Sequence, residues 1–277
     1  MFPAATGERM LVEKSKPSRL RRIAAVTLAT LLTADAATAI EVSPKEAQRI
    51  GQRVWQNECA GTIAGLTSWN DGENFASLGI GHFIWYPAGA RGPFEESFPK
   101  FIAFARDHRA SLPAWLADNA ACLWNSRAEF RAAQGSPRLL ELREFLSRTI
   151  DLQAQFLVAR LESSLSKMMA AANGAEAGNV RAQFERVGGS PGGAYALIDY
   201  VNFKGEGVLA TERYHGEGWG LLQVLAGMHG TGPESALDEF ARSAKTVLQR
   251  RVQNAPPERN ESRWLPGWLH RVSSYAK

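Results

Sequence analysis

Two acidic residues stand near one another in this 277-residue chain in settings suited to proton-transfer chemistry. Glu58 closes the run Trp55-Gln56-Asn57-Glu58-Cys59, and Asp71 lies in Trp69-Asn70-Asp71-Gly72. A carboxyl that keeps its proton can protonate a leaving glycosidic oxygen. A second, ionised carboxylate can then activate water or stabilise the oxocarbenium-like transition state. Each residue also has a plainer role open to it. Asp71 is an ordinary turn residue, and Glu58 could pair with an arginine such as Arg53.

The elements that must carry this pair are legible. Ser43-Pro44-Lys45-Glu46 has the form of a helix start, with Ser as N-cap, Pro at the first helical position and Glu three residues after the Ser. From there Ala47, Ile50, Val54 and Glu58 follow at spacings of three and four, so they share one face. That places an acid on the apolar side of a helix, where an unpaired charge is costly to bury. Asn70-Asp71-Gly72 predicts a tight turn, and a hairpin leading into a Gly-rich strand over Phe75 to Tyr86 is its natural context.

Ser77-Leu78-Gly79-Ile80-Gly81-His82 resembles the Thr-Ile-Gly-Tyr/Ile-Gly-His strand of phage-type lysozymes. In that family a catalytic Glu ends the first helix, an Asp lies in the hairpin and a Thr opens the strand motif. Asp71 keeps the family's distance to the strand, six residues before Ser77. Glu58 matches the catalytic Glu, with about four extra residues before Asp71. Ser77 stands where the family has Thr, keeping the hydroxyl and losing the methyl. Val201-Asn202-Phe203-Lys204-Gly205-Glu206-Gly207 is similar to the helix segment lining the family's second lobe. Asn254-Ala255-Pro256-Pro257-Glu258-Arg259, followed by Trp264, Trp268 and Arg271, resembles its closing region. The resemblance implies Glu58, Asp71 and Ser77 as catalytic residues. It also implies a mainly α, two-lobed fold with a small β-hairpin sheet, enlarged by a helical insertion around 100–190.

A second segment carries a rival placement of the acid. Gly220-Leu221-Leu222-Gln223-Val224 resembles the Gly-Leu-x-Gln motif of lytic transglycosylases, and Glu206 precedes it by fourteen residues. The Ser that normally follows that family's Glu is absent, so Glu58 ranks first. Tyr214 and Trp219 are aromatic rings that could stack on sugar faces. With His82, Asn202, Glu206 and Gln223 they complete the expected substrate-binding set. Trp219 and Tyr214 could equally be core aromatics, and His82 a structural hydrogen-bonder.

Residues 1–39 read as an export signal. Lys14, Lys16, Arg19, Arg21 and Arg22 form its basic start, Ile23 to Leu32 its apolar stretch, and Ala37-Thr38-Ala39 a small-x-small cleavage site. The apolar stretch is short for a bilayer span. The signal holds six of the 32 Lys and Arg and three of the 28 Asp and Glu, leaving 26 against 25 in residues 40–277. So near-neutral a balance gives no reason to expect nucleic acid as a partner. No CxxC or metal-ligand spacing is present, and no cofactor or metal is expected. Cys59 and Cys122 could form a disulfide in an exported protein or remain buried thiols.

Beyond Tyr86, Pro87 to Pro93 reads as a loop and the chain is helical almost to its end. Stripes at Phe98, Phe101, Ile102 and Ala105, at Leu139, Leu142 and Leu146, and at Leu152, Phe156, Leu157 and Leu161 mark core-facing helices. Leu112 to Phe130 reads as one more helical region, Gly188 to Gly193 as a loop, and Pro233 to Val252 as a further helix. The expectation for function is a monomeric, exported, periplasmic or secreted glycosidase acting on the β-1,4 bonds of peptidoglycan or a related glycan. The alternatives are a lytic transglycosylase or a non-catalytic glycan-binding envelope protein.

Overall fold

The computed structural model describes residues 42–92, 94–117 and 121–276. The expected export signal lies outside them. Helix accounts for 65% of the described residues, with one three-stranded and one two-stranded antiparallel sheet, so the fold is mainly α.

Helix α1 spans Pro44–Cys59 and starts where its sequence says it should. Ser43 takes the extended conformation, and its hydroxyl accepts the Glu46 amide at 3.2 Å. Ala47, Ile50 and Val54 are buried along one face. Ala60 ends the helix in the left-handed conformation, so Glu58 sits in the last turn.

The chain next forms β1 (Thr67–Ser68), β2 (Ala76–Leu78) and β3 (Phe83–Trp85), paired in that order. The β1–β2 connection holds Asn70-Asp71-Gly72, with Gly72 at positive φ, so the expected hairpin is present. In the β2–β3 pair Ser77 stands opposite Ile84. The tight turn between these strands explains the Gly-rich motif. Gly79 has φ +70°, and a Cβ there would meet the Gln153 Oε1 at 2.3 Å. That oxygen accepts the Ile80 amide at 2.8 Å, while the Gln153 Nε2 donates to the Leu146 carbonyl at 2.7 Å. A fully buried glutamine thus fixes the turn that presents His82.

The helices that follow are α2 (Phe98–Asp107), α3 (Ala114–Ala117), α4 (Arg127–Ala132), α5 (Pro137–Arg148), α6 (Ile150–Ala171), α7 (Gly174–Gly188) and α8 (Gly193–Lys204). The region 112–130 is therefore not one helix. Pro113 precedes a single turn, and Ser126 opens a separate helix by accepting the Glu129 amide at 3.2 Å. After α8 come β4 (Arg213–Tyr214) and β5 (Glu217–Gly218), a two-stranded hairpin. Helices α9 (Leu221–Ala226), α10 (Ala236–Asn254) and α11 (Leu265–Ser273) complete the fold.

Helix α6 is the central strut, packing against α1, α2, α7 and α8. Its Phe156 joins Phe83 and Phe101 in an aromatic cluster that ties the sheet to α2. The C-terminal helices return to α1, where the Arg53 guanidinium stacks over Tyr195 at 3.9 Å and donates to the Ser274 carbonyl. No helix among the described residues is long and apolar enough to cross a membrane. Cys59 and Cys122 are both free and buried, each thiol donating to a carbonyl, of Gly79 and Trp124 respectively.

Candidate functional site

A cleft of about 760 Å³ opens between the sheet side of the molecule and the end of α8. Glu58 reaches it from the last turn of α1. Asn70, Glu73, Phe75 and Ser77 reach it from the β1–β2 hairpin, and His82 from the next turn. The opposite wall is built by Asn202, Phe203 and Lys204 at the end of α8, by the 205–212 loop, and by Arg251 on α10. Arg160 and Lys167 on α6 close one side.

Glu58 is held from two directions. Arg271 on α11 donates to its Oε1, and His82 Nδ1 lies 3.4 Å from its Oε2. The carboxylate is thus paired, and not with Arg53. Arg271 donates through two nitrogens to both oxygens of Asp199, at 2.7 and 2.8 Å, and Tyr275 donates to Asp199 at 2.5 Å. Asp199 is fully buried on α8. Burial disfavours the Arg271 cation, but the Asp199 hydrogen bonds and the two carboxylates outweigh it and raise its pKa further. Glu58 therefore faces a guanidinium already matched by a second carboxylate, held in one orientation by three helices.

Asp71 does not face this cleft. Its side chain is 91% exposed and pairs with Arg127 at 3.1 Å. The hairpin carboxylate that enters the cleft is Glu73, two residues further on. Its Oε2 accepts the Ser77 hydroxyl at 3.4 Å and the Asn70 amide at 3.1 Å. The turn geometry is the reason. Glu73 donates its amide to the Asn70 carbonyl, and its carbonyl accepts the Trp69 indole N–H at 2.8 Å. This curl points Asp71 outward and Glu73 inward.

Of the other residues singled out from the sequence, Ser77, His82, Asn202, Glu206 and Trp219 line the cleft. Tyr214 and Gln223 do not. The Tyr214 hydroxyl is spent on Glu261 at 2.9 Å. Gln223 is a strut, accepting the Gly220 amide at 3.0 Å and donating to the Gly207 carbonyl at 3.1 Å. Gly207, at φ +81°, has no room for a side chain there, since a Cβ would meet the Gln223 Oε1 at 2.1 Å. The Gly-Leu-x-Gln likeness thus marks a loop clamp. Trp219 is only 6% exposed, and Arg251 lies 4.1 Å over its ring, so little of that ring is open to stack on a sugar.

Glu206 lies on the far wall, its Oε1 shared by Ser164 at 2.8 Å and Lys167 at 2.7 Å. Glu95, with Arg160 at 3.6 Å and Lys100 beside it, forms a second ion pair along the rim. Burial opposes the charge of Glu95, but Lys100, Lys167 and Arg160 together hold it below the ordinary carboxylate range. Burial raises the pKa of Glu212, helped by nearby Glu206 and resisted by the amides of Leu209, Gly207 and Val208. Among the described residues no group of three or more His, Cys, Asp or Glu could hold a metal ion.

Sequence reasoning missed Glu73, Arg160, Asp199, Lys204 and Arg251 as cleft or supporting residues. Arg271 stood only inside the C-terminal resemblance. Glu73 had a usable signal, a carboxylate four residues before Ser77 beyond a tight turn. Comparison with known proteins adds no relative, since no family model, curated protein or solved structure matches the chain.

Proposed function

We propose that this protein is an exported glycosidase that cleaves β-1,4 bonds of peptidoglycan or a closely related cell-wall glycan, with Glu58 as general acid. One observation carries the proposal. Glu58 and Glu73 enter a single cleft from separate elements, and each has a polar partner that fixes its orientation. Two carboxyl groups in one cleft are the minimum for glycoside hydrolysis. The phage-lysozyme likeness of the 77–82 strand motif supports the choice of glycan.

In this account Glu58 protonates the glycosidic oxygen. Glu73 activates the attacking water or stabilises the oxocarbenium-like charge, and takes over the role first given to Asp71. The Ser77 hydroxyl keeps Glu73 turned into the cleft. Asn202 and His82 hold sugar hydroxyl or acetamido groups. Arg271 is a positioning residue. It fixes the Glu58 rotamer, and its own charge is taken up by Asp199, which limits the electrostatic load on the acid. Preorganisation of this kind avoids rearranging the site during the reaction.

A second reading has its own observation. Glu206 also faces the cleft, and a single acid on that wall would suit a lytic transglycosylase. Its Oε1 is engaged by Lys167 and Ser164, as the Glu58 Oε1 is by Arg271, so the strand-motif likeness beside Glu58 ranks the two acids.

Mass spectrometry of soluble products from purified peptidoglycan separates these routes. Reducing-end fragments that vanish in Glu58→Gln and Glu73→Gln support the hydrolase. Anhydro-ended fragments that vanish only in Glu206→Gln support the transglycosylase. A protein that pellets with peptidoglycan and releases nothing is a glycan-binding protein.

A further inference from the structure

The cations lining the cleft are not equivalent. Arg160 has Glu95, Lys167 has Glu206, and Arg251 is bonded through two nitrogens to Glu261 at 2.7 and 2.8 Å. Lys204 has no hydrogen-bond or carboxylate partner among the described residues. Its residue is only 9% exposed, yet it lines the cleft at the last turn of α8. Its Nζ rests on two aromatic faces, 3.2 Å from the Trp268 ring centre and 4.0 Å from that of Phe203. Aromatic faces attract an ammonium but accept no conventional hydrogen bond in the geometry a lysine prefers. The side chain is largely buried, its Nζ has no oxygen partner among the described residues, and the cleft is where a partner can reach it.

We propose that Lys204 is the residue that selects acid-bearing glycans. Its amine receives a carboxylate carried by a sugar of the bound chain, such as a muramic acid whose lactyl group bears no peptide, and completes the ion pair that the protein leaves open. The inference rests on the glycosidase reading of the cleft and deepens it by naming the substituent recognised and the residue that recognises it. Of the other carboxylates lining the cleft, Glu58, Glu95 and Glu206 are each matched by a cation from the protein, and Glu73 and Glu212 take hydrogen bonds from elsewhere, so none is paired with Lys204.

The local charges make binding proton-linked. Burial holds the Lys204 pKa well below the ordinary lysine range. Arg251 on α10 and Arg271 on α11 push the same way, while Glu261 before α11 and Glu58 on α1 oppose them. An arriving carboxylate favours the charged amine and moves its titration upward, so binding draws a proton from solvent at any pH where the free protein leaves Lys204 partly unprotonated. A neutral glycan has no such effect.

The test uses the full chain carrying Glu58→Gln, which removes turnover. Two probes are titrated by calorimetry in two buffers of different ionisation enthalpy. One is a tetrasaccharide containing N-acetylmuramic acid, and the other is an N-acetylglucosamine tetrasaccharide. The expected result is about 10- to 100-fold tighter binding of the acidic probe, the range for a hydrogen bond to a charged group. Across a pH series from about 6 to about 10, proton uptake should accompany the acidic probe alone, at pH values between the free and bound titrations of Lys204. In Lys204→Met on the same background the preference should fall toward one. Should that variant not fold, proton uptake by the Lys204 protein still decides the matter. Equal affinities, absence of proton uptake, a preference unchanged by Lys204→Met, or no binding of either probe would each overturn the proposal. Cleavage that depends on Glu58 with no preference for acid overturns only the role of Lys204. A preference for acid without any cleavage by the wild type overturns only the glycosidase reading.

Discussion

Arg271 donates a hydrogen bond to Glu58 from 213 residues further along the chain, and the same guanidinium grips both oxygens of Asp199. This relationship joins α1 and α11 behind Glu58, with α8 supplying Asp199. It makes the proposed acid dependent on the folded C-terminus. Arg271→Met should leave Asp199 buried without its cation, at a cost of about 3–5 kcal/mol. The measurement is a denaturant titration of the variant against the wild type. A loss below about 1 kcal/mol would show that the network contributes little.

The two acidic residues of the hairpin should behave oppositely. Glu73→Gln should lower glycan cleavage by about 100-fold or more, the usual contribution of a catalytic acid or base. Asp71→Asn removes an exposed ion pair with Arg127, worth at most about 1 kcal/mol, and should keep near-normal rates. Initial rates on purified peptidoglycan compare the two. The reverse ranking would return the second carboxylate to Asp71.

The turn presenting His82 depends on Gln153. Gln153→Leu leaves the Ile80 amide buried without an acceptor, a loss of about 1–3 kcal/mol. Gly79→Ala at φ +70° should be at least as harmful, because the new methyl would displace the Gln153 amide. Thermal melts of both variants check this. Unchanged melting temperatures would mean that the turn is held by its strands alone.

Both thiols should be inert in the native protein. Burial, with the nearby Glu58 charge, pushes Cys59 up to about 12. Burial likewise pushes Cys122 up to about 11, against the effect of its hydrogen bond to Trp124. Neither forms appreciable thiolate, the reactive species, at pH 8. Alkylation at pH 8 should label two thiols only after unfolding. Rapid labelling of the native chain would contradict the packing around α1.

Acid should weaken the Arg251–Glu261–Tyr214 cluster. Burial opposes the charge of Glu261, but the Arg251 hydrogen bonds and charge, with the Tyr214 hydroxyl, hold its pKa below the ordinary 4.5. A depressed carboxylate stabilises the fold above its unfolded pKa, and that contribution is lost as pH falls through the lower folded value. The melting temperature of the wild type should therefore exceed that of Glu261→Gln at pH 7, with the gap closing below about pH 4. A gap that is constant across this range would remove Glu261 as the titrating group.

Local signals are readable where a complete cap or turn motif is present. Ser43, Pro44 and Glu46 set the start of α1, and Asn70-Asp71-Gly72 set the hairpin. Among its described residues the region 112–130 is helical only at its ends, because Pro113 and the Ser126 cap, both visible in the sequence, divide it. The cleft was harder. Which hairpin carboxylate faces inward is decided by the Trp69 and Asn70 hydrogen bonds to Glu73, a matter of turn geometry more than of residue type. The Arg271–Asp199 support and the open position of Lys204 arise from contacts between distant segments, which leave no periodic trace. Tyr214 and Gln223 carry suggestive chemistry in the sequence, but their polar atoms are used within the fold.

The most direct test of the central claim is the rate of peptidoglycan cleavage by Glu58→Gln, a nearly isosteric change that keeps an acceptor for Arg271 and removes the transferable proton. The account predicts that wild-type protein releases reducing-end fragments and that folded Glu58→Gln releases them at least about 100-fold more slowly. A folded Glu58→Gln variant that cleaves at the wild-type rate would contradict it.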